Sequence, residues 1–348
     1  MCVDQRILSC CLMAISLLLP IASGIADEPG KDSSSRGERS QSAADDDTQP
    51  VKRHLSGADA QRAESVRVRL QELADAVRSG KCRIEFDIQQ QREEGGSEKV
   101  RELAIATEIQ TAFDKDRRQI AFDVEDLDVP VREADQVAPQ NKIKEHFGYI
   151  ETDSVNLYWN GFERTLHRFS PRQPVPPALR SLWRFDVLSV GLHHPLLMRR
   201  DFMSFEDLLQ ERWADSQGGP VTITEDDESI ELTFEIDRFR RQAMTIDKSR
   251  GGTIRRMQKV VDMPAEHGGK HFGEDHSFEW KQINDVWVPV KAVYSAQDGA
   301  SGFWTKTQVQ LTIHWETVNG PLPEQEFTQD RWSGIPWTRI ENHVEQQF

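Results

Sequence analysis

Residues 230–236 read IELTFEI, and this short stretch decides the fold class. Its apolar residues alternate with polar ones, which is the period of two expected when one face of a β-sheet is buried and the other faces water. Similar segments continue from Thr222 to Val318, with short polar turns between them. The sequence therefore predicts a large antiparallel sheet against which the rest of the chain packs.

The turns between these segments support the same interpretation. Residues 247–252, DKSRGG, contain two glycines that tolerate positive φ, and they predict a hairpin. Asn284-Asp285 and Asp298-Gly299 predict two further reversals. Pro289 lies inside a strand-like segment. Because proline cannot donate a ladder hydrogen bond, we expect that strand to lie at an edge of the sheet or to carry a bulge.

The first half of the chain predicts a helix followed by a second group of strands. Ser56 can cap a helix whose apolar residues recur every three or four positions as far as Val77. Alternating segments follow at residues 81–91, 100–113, 119–124, 146–160 and 163–169. The intervening residues 125–140 are acidic and are interpreted as a loop. Their cluster of Glu125, Asp126 and Asp128 lacks the ligand spacing of a calcium loop.

A short helical insert is predicted between the two groups of strands. Between Leu179 and Trp213 the apolar period changes from two to three and four. The connection at residues 191–198, GLHHPLLM, is unusually apolar, so it either plugs the concave side of the sheet or lines a cavity. The residues expected to bind an apolar ligand are Trp183, Leu188, Leu192, Leu196, Leu197, Met198, Phe202 and Trp213.

The two ends of the chain predict its processing and its boundaries. Residues 1–26 have the apolar core and the small residues of a secretory signal, with cleavage after Ala26, so we expect a protein of the periplasm or the extracellular space. The apolar run is too short for a spanning helix. Residues 27–55 have too few apolar side chains to fold and predict a disordered linker. One domain then covers residues 56–327, and a tail at 328–348 packs across the sheet through a few aromatic side chains.

Composition and motifs exclude several classes of function. The chain of 348 residues has a formal charge of −15, which disfavours a nucleic-acid partner. It contains no nucleophile elbow, phosphate-binding loop, dinucleotide fingerprint or H-E-x-x-H, so we predict neither catalytic residues nor a cofactor. Once residues 1–26 are removed, Cys82 is the one remaining cysteine. It alternates with apolar neighbours and is predicted to be a buried structural thiol.

Two alternative functions remain open on the sequence. A metal-dependent hydrolase would use His267, His271 and His276, because imidazoles are suitable zinc or copper ligands, although we interpret this Gly-rich segment as a polar hairpin loop. An envelope interaction module would instead recruit a protein partner through the sheet edge expected near Pro289.

Four phrases of the sequence resemble those of a known family. They are FDVLSVGL at 185–192, IDKSRGG at 246–252, VWVPVK at 286–291 and VNGPLP at 318–323. Together with the order of elements from Ser56 to Phe327, they are similar to the periplasmic lipoprotein carriers and outer-membrane lipoprotein-sorting proteins, and to secreted bacterial relatives of these. The resemblance implies a mainly β, α+β fold. In that fold a strongly curved antiparallel sheet forms an incomplete barrel, and its helices cover the concave face.

The same resemblance also implies a function. Members of the family enclose an apolar cavity that receives acyl chains. The function predicted here is therefore that of an exported, non-enzymatic protein that binds a lipid chain or another hydrophobic small molecule.

Overall fold

The computed structural model describes residues 58–94, 100–117, 119–133, 136–161, 164–171, 187–189, 221–264, 269–300, 303–335 and 339–343. Within these ranges the chain is mainly β, with one large, curved and unclosed sheet and one helix, so the predicted fold class is confirmed. The predicted signal at 1–26 and linker at 27–55 lie outside the described residues. None of the described helices is long and apolar enough to cross a bilayer.

The elements follow in chain order. They are α1 (Ala58–Ala76), β1 (Ser79–Glu94), β2 (Val100–Asp114), β3 (Gln119–Glu133), β4 (Gln136–Glu151), β5 (Asn156–Asn160), β6 (Thr165–Phe169), β7 (Val221–Glu225), β8 (Ser229–Glu235), β9 (Arg240–Asp247), β10 (Thr253–Asp262), β11 (His271–Ile283), β12 (Val286–Ala300), β13 (Phe303–Val318) and β14 (Arg339–His343).

The two groups of strands form one sheet because β1 pairs with β13. The strand order among the described residues is β14-β6-β5-β4-β3-β2-β1-β13-β12-β11-β10-β9-β8-β7. The pairs are antiparallel except that of β14 with β6, which is parallel. The sheet therefore has its edges at β7 and β14, and the strand contributed first in the chain lies at its centre.

Helix α1 covers one part of the inner, concave face, as the sequence predicted. Its residues Ala63, Val66 and Leu70 are buried in the same apolar core as the inner side chains of the strands. Asn319, which follows β13 and has a φ of 52°, caps the carboxyl-terminal end of the helix. Its side-chain oxygen accepts a hydrogen bond from the Arg78 amide at 2.7 Å, and its side-chain nitrogen donates to the Ala76 carbonyl at 2.7 Å. One side chain at the end of β13 thus satisfies backbone groups at the helix terminus.

The turn at residues 247–252 has the predicted chemistry. Gly251 and Gly252 have φ of 69° and 84°. The Asp247 carboxylate accepts hydrogen bonds from the amides of Ser249 and Arg250, at 3.0 and 3.2 Å. Asn284 and Asp285 are also left-handed and join β11 to β12 directly. Both turns are therefore determined locally by residues that tolerate positive φ.

Three turn predictions are wrong. Residues 125–140, interpreted as a loop, lie largely in β3 and β4, which pair with each other through two irregularities in register. The expected reversal at Asp298-Gly299 lies within β12, which continues to Ala300. His271 to His276, expected in a loop, begin β11. In each case the segment contains polar residues or glycine and still forms a strand. Its backbone pairs with that of the neighbouring strands, and this pairing outweighs the low strand propensity of the side chains.

The structure contains a second, smaller core on the outer face of the sheet. Side chains from β2–β6 form it with two residues of the C-terminal segment, Phe327 and Trp332, which lie in short 3₁₀ turns. Ile335 packs against the same cluster. The aromatic tail thus contacts the outer face, and the chain then returns to the sheet as β14. Trp337, another aromatic of the tail, is outside the described residues.

Candidate binding site

The inner face of the sheet is apolar over most of the described strands. Alternate residues of β1 and β13 face inward and are buried, among them Ile84, Phe86, Val309 and Leu311. Helix α1 packs on β7, β10 and β12 at one side of this face. This arrangement follows directly from the period of two in the sequence, because each strand contributes one side chain in two to the same surface.

A pocket opens where α1 meets the edge of the sheet. Its volume is about 300 Å³, and its apolar walls come from Val66 of α1 and from Ile223, Ile230 and Ile246 of β7, β8 and β9. Ile223 and Ile230 are only partly buried. An apolar floor of this kind, open at one side, is typical of a small-ligand site.

Charged side chains form the rim of this pocket. Glu225 of β7 pairs with Arg62 of α1 and with Lys248, whose Nζ lies 3.0 Å from the Glu225 carboxylate. The hydrogen bond from Lys248 lowers the pKa of Glu225, so this carboxylate is ionised at neutral pH. Arg69 donates to the Gly251 carbonyl at 3.2 Å. The rim thus connects the helix to the sheet edge with exposed polar contacts.

The predicted ligand-binding residues fall almost entirely outside the described part of the chain. Leu188 is described: it lies in a single 3₁₀ turn, Val187–Ser189, and is buried with Val187 in the same core as the inner strand residues. The remaining seven lie outside the described residues; they are Trp183, Leu192, Leu196, Leu197, Met198, Phe202 and Trp213. Their role stays a prediction.

A buried polar group interrupts the apolar inner face. His276 and Glu274 point inward from β11, and the His276 ring packs edge-on against Tyr294 with centroids 4.7 Å apart. Among the described residues, His276 Nδ1 and Gln242 Nε2 are buried without a hydrogen-bond partner. An unsatisfied buried polar atom costs about 1–3 kcal/mol. The sequence singled out His276 as a candidate metal ligand and did not predict its burial, although His276 and Glu274 share the parity of Phe272 and Phe278.

The metal-site alternative is not supported by the placement of its histidines. His271 and His276 are five positions apart in β11 and therefore point to opposite faces of the sheet. His271 lies on the outer face, 6.1 Å from the Trp304 ring, whereas His276 is buried on the inner face. His267 is outside the described residues. In the part of the chain that the structure describes, no three potential ligands are grouped for a metal ion.

The alternative function as an interaction module required the strand of Pro289 to lie at an edge of the sheet, and this prediction is wrong. Strand β12 lies between β11 and β13, well inside the sheet. The expected bulge is present, because Glu279 pairs with Lys291 while Trp280 pairs with Pro289, which leaves one extra residue in β12. The Pro289 carbonyl accepts a hydrogen bond from the Trp315 indole at 2.8 Å. The bulge thus allows a proline, which has no backbone N–H to donate, to lie in a strand that is inside the sheet.

Cys82 lies in the inner core, as the sequence predicted. It is buried, and burial raises the pKa of its thiol well above the ordinary value. A thiol in this environment is a poor nucleophile.

The arrangement defines a mainly β protein with a curved sheet and an apolar inner face. No family model and no curated protein matches the chain. Among solved structures, it is similar to a DUF1329 family protein from Desulfovibrio piger, with 12% identity and a TM-score of 0.34 over 79% of this chain and 98% of that one.

Two further solved structures are similar to the chain. A putative outer-membrane lipoprotein-sorting protein domain from Vibrio parahaemolyticus has 11% identity and a TM-score of 0.32, over 77% of this chain and 98% of that one. It is of the class that the sequence phrases resemble. Lipovitellin has 8% identity and a TM-score of 0.29, over 70% of this chain and 26% of that one.

Proposed function

We propose that the chain is an exported, non-enzymatic binding protein that holds an apolar ligand, such as the acyl chain of a lipid, against the inner face of the curved sheet. The observation that carries the proposal is the pocket of about 300 Å³ between α1 and β7–β9, with its apolar walls. Burial of apolar surface stabilises a complex by about 25 cal/mol per Å², so an extended hydrocarbon chain suits this surface better than a polar ligand does.

The sequence resemblance supports the same function. The apolar residues of the insert, at 179–213, would extend the binding surface, since Leu188 belongs to the inner core that α1 also contacts. In this proposal the signal at residues 1–26 directs export, and the amino terminus of the exported protein is Asp27. Sequencing of the amino terminus after secretion tests that part separately.

A fluorescent fatty acid tests the binding proposal. Titration of the purified protein with cis-parinaric acid should give saturable binding in the micromolar range. The variant Ile230→Trp places a larger side chain in the pocket from a partly buried position, and it should weaken binding at least fivefold because it occupies the volume of the ligand.

A matched variant controls for effects on the sheet. Glu231→Trp introduces the same side chain one position later on β8, where it points to the outer face, and it should bind the probe as the unmodified protein does. Failure of the unmodified protein to bind the fatty acid, or equal binding by both variants, would contradict the proposal.

A further inference from the structure

A second recess lies on the opposite side of the sheet. It has a volume of about 510 Å³ and is formed by the outer face of β10–β13 and β1. Because the inner residues of β11 are Phe272, Glu274 and His276, the intervening Gly273 and Asp275 face outward into this recess. It is therefore separate from the apolar pocket beneath α1.

Glutamine side chains dominate the lining. Five of them, from β1, β10, β12 and β13, surround the recess: Gln89, Gln91, Gln258, Gln297 and Gln308. Within the described ranges, Gln89, Gln297 and Gln308 make no side-chain hydrogen bonds. Each amide offers two donors and a carbonyl acceptor, so the recess has unused capacity to bind a ligand with many hydroxyl groups.

The charge of the recess is nearly balanced. Asp275 is held by a forked interaction with Arg256, in which Nε lies 2.9 Å from one carboxylate oxygen. Among the described residues, the lining has two carboxylates, Glu274 and Asp275, and one cation, Lys306. Arg256, which pairs with Asp275 from outside the lining, makes the numbers of positive and negative charges equal. The lining therefore has no excess of one charge that would select a strongly ionic ligand.

The shape of the recess depends on Gly273. A Cβ built at this position meets no atom within 4 Å, so the missing side chain leaves open space between its neighbours. Gly273 pairs with Gln297, and Gln297 pairs with Lys306. The glycine thus leaves a gap in the outer row that runs from Val260 through Gln297 to Lys306.

An exposed aromatic side chain borders this row. Trp304 is 40% exposed and points outward two residues before Lys306, so it lies about 7 Å along the strand from that neighbour. Its ring covers Gly299, where a built Cβ would approach three ring atoms at 2.6 to 3.0 Å. One face of the indole thus packs on the backbone, and a substantial part of the ring remains open to solvent.

We infer that this recess binds a neutral oligosaccharide. A pyranose ring has an apolar C–H face, which fits an exposed indole, and hydroxyl groups around its edge, which fit the donors and acceptors of glutamine amides. Trp304 supplies the stacking surface, and the five glutamines contact the hydroxyl groups of the adjoining residues. This site is independent of the proposed apolar ligand, because it lies on the other face of the sheet.

Saturation-transfer NMR with maltohexaose, cellohexaose and chitotetraose tests the inference. At least one of these sugars should bind with a Kd in the millimolar range or tighter. Gly273→Val fills the gap at a position where an added Cβ meets no atom within 4 Å. Trp304→Ala removes the stacking surface, and each variant should weaken binding at least tenfold.

Ser277→Val is the control, because it adds the same side chain to the outer face of β11 outside the recess, and it should leave sugar binding unchanged. Thermal unfolding confirms that all three variants are folded. The inference is overturned if none of the three sugars binds at 10 mM, a concentration on the order of the weakest specific affinities. It is also overturned if Gly273→Val binds as well as Ser277→Val. Fatty-acid binding by Gly273→Val should be unchanged in every case, which separates this test from that of the apolar pocket.

Discussion

Strands β2–β6 and strands β8–β12 belong to one sheet, yet their outer faces have different environments. Part of the outer face of β2–β6, from Ala112 to Leu166, is buried beneath the C-terminal segment, whereas the outer face of β8–β12 carries exposed residues such as Glu231 and Ser277. The burial patterns show the contrast directly. All five residues of β5 are buried, while β8 alternates between buried and exposed positions.

The two parts of the outer face therefore have different roles: one is packed in a core, and the other is open to a ligand. A strand buried on both faces contributes side chains to two cores, and a change on either face leaves a cavity. A strand buried on one face leaves its other side chains free to contact a ligand, as in the glutamine-lined recess. The predictions that follow compare equivalent changes on the two parts of the outer face.

The largest difference is expected between two tryptophans. Trp332 is 1% exposed in the outer core of β2–β6, and its indole donates a hydrogen bond to Asp123. Trp332→Ala should lower the free energy of unfolding by about 4 kcal/mol, because it leaves a large cavity and removes that donor. Trp304→Ala, on the exposed outer face, should lower it by less than about 1 kcal/mol. Urea denaturation of both variants measures the difference, and equal losses would contradict the contrast between the two faces.

A second comparison uses two arginine–aspartate pairs on the outer face. Arg331 is buried and pairs with both Asp123 and Glu326. Asp123→Asn should destabilise the protein by about 3 kcal/mol, because it leaves a buried guanidinium with a weaker partner.

The equivalent pair in the other part of the sheet provides the control. Arg256 and Asp275 are each at least one third exposed, so water screens their interaction. Asp275→Asn should cost about 0.5 kcal/mol. Chemical denaturation of both variants at low and high salt checks this prediction. A large loss for Asp275→Asn would show that the outer recess is held together more strongly than its exposure indicates.

The same contrast explains which features the sequence predicts. Alternation identified β8, β13 and the part of β11 from Ser277 to Ile283, since a strand with one face in water has polar residues at every second position. It could not identify where the C-terminal tail packs. Leu157 and Trp159 face the outer core while Tyr158 faces the inner one, so β5 reads as a continuous apolar run. Such a run shows that both faces are covered but not by which segment.

The candidate site was less predictable than the fold. The pocket combines Arg62 and Val66 of α1 with Ile223 and Ile230, which are more than 150 positions away in the chain. Periodicity assigns each of these residues to a face of its own element. The distance between elements depends on the strand order and on the curvature of the sheet, and neither is encoded in local spacing. Leu188, predicted from an apolar helical pattern, lies in the 3₁₀ turn Val187–Ser189 and is buried in the inner core.

The smallest effect is expected at the turn between β7 and β8, on the exposed edge. The Asp226 carboxylate accepts hydrogen bonds from the amides of Ser229 and Glu228, at 2.6 and 2.8 Å, and these bonds lower its pKa below the ordinary value of 3.8. A lowered folded-state pKa means that the stabilising contribution is present above pH 3.8 and is lost as the pH falls through the folded-state pKa.

Asp226→Asn removes this titration, so the urea midpoint of the variant should change less between pH 5 and pH 2.5 than that of the unmodified protein. Asp227→Asn changes the neighbouring exposed carboxylate, which accepts no hydrogen bond among the described residues, and should retain the full pH dependence. Identical acid profiles for Asp226→Asn and the unmodified protein would show that this turn contributes nothing to acid unfolding. The sensitivity would then have to come from carboxylates elsewhere in the protein.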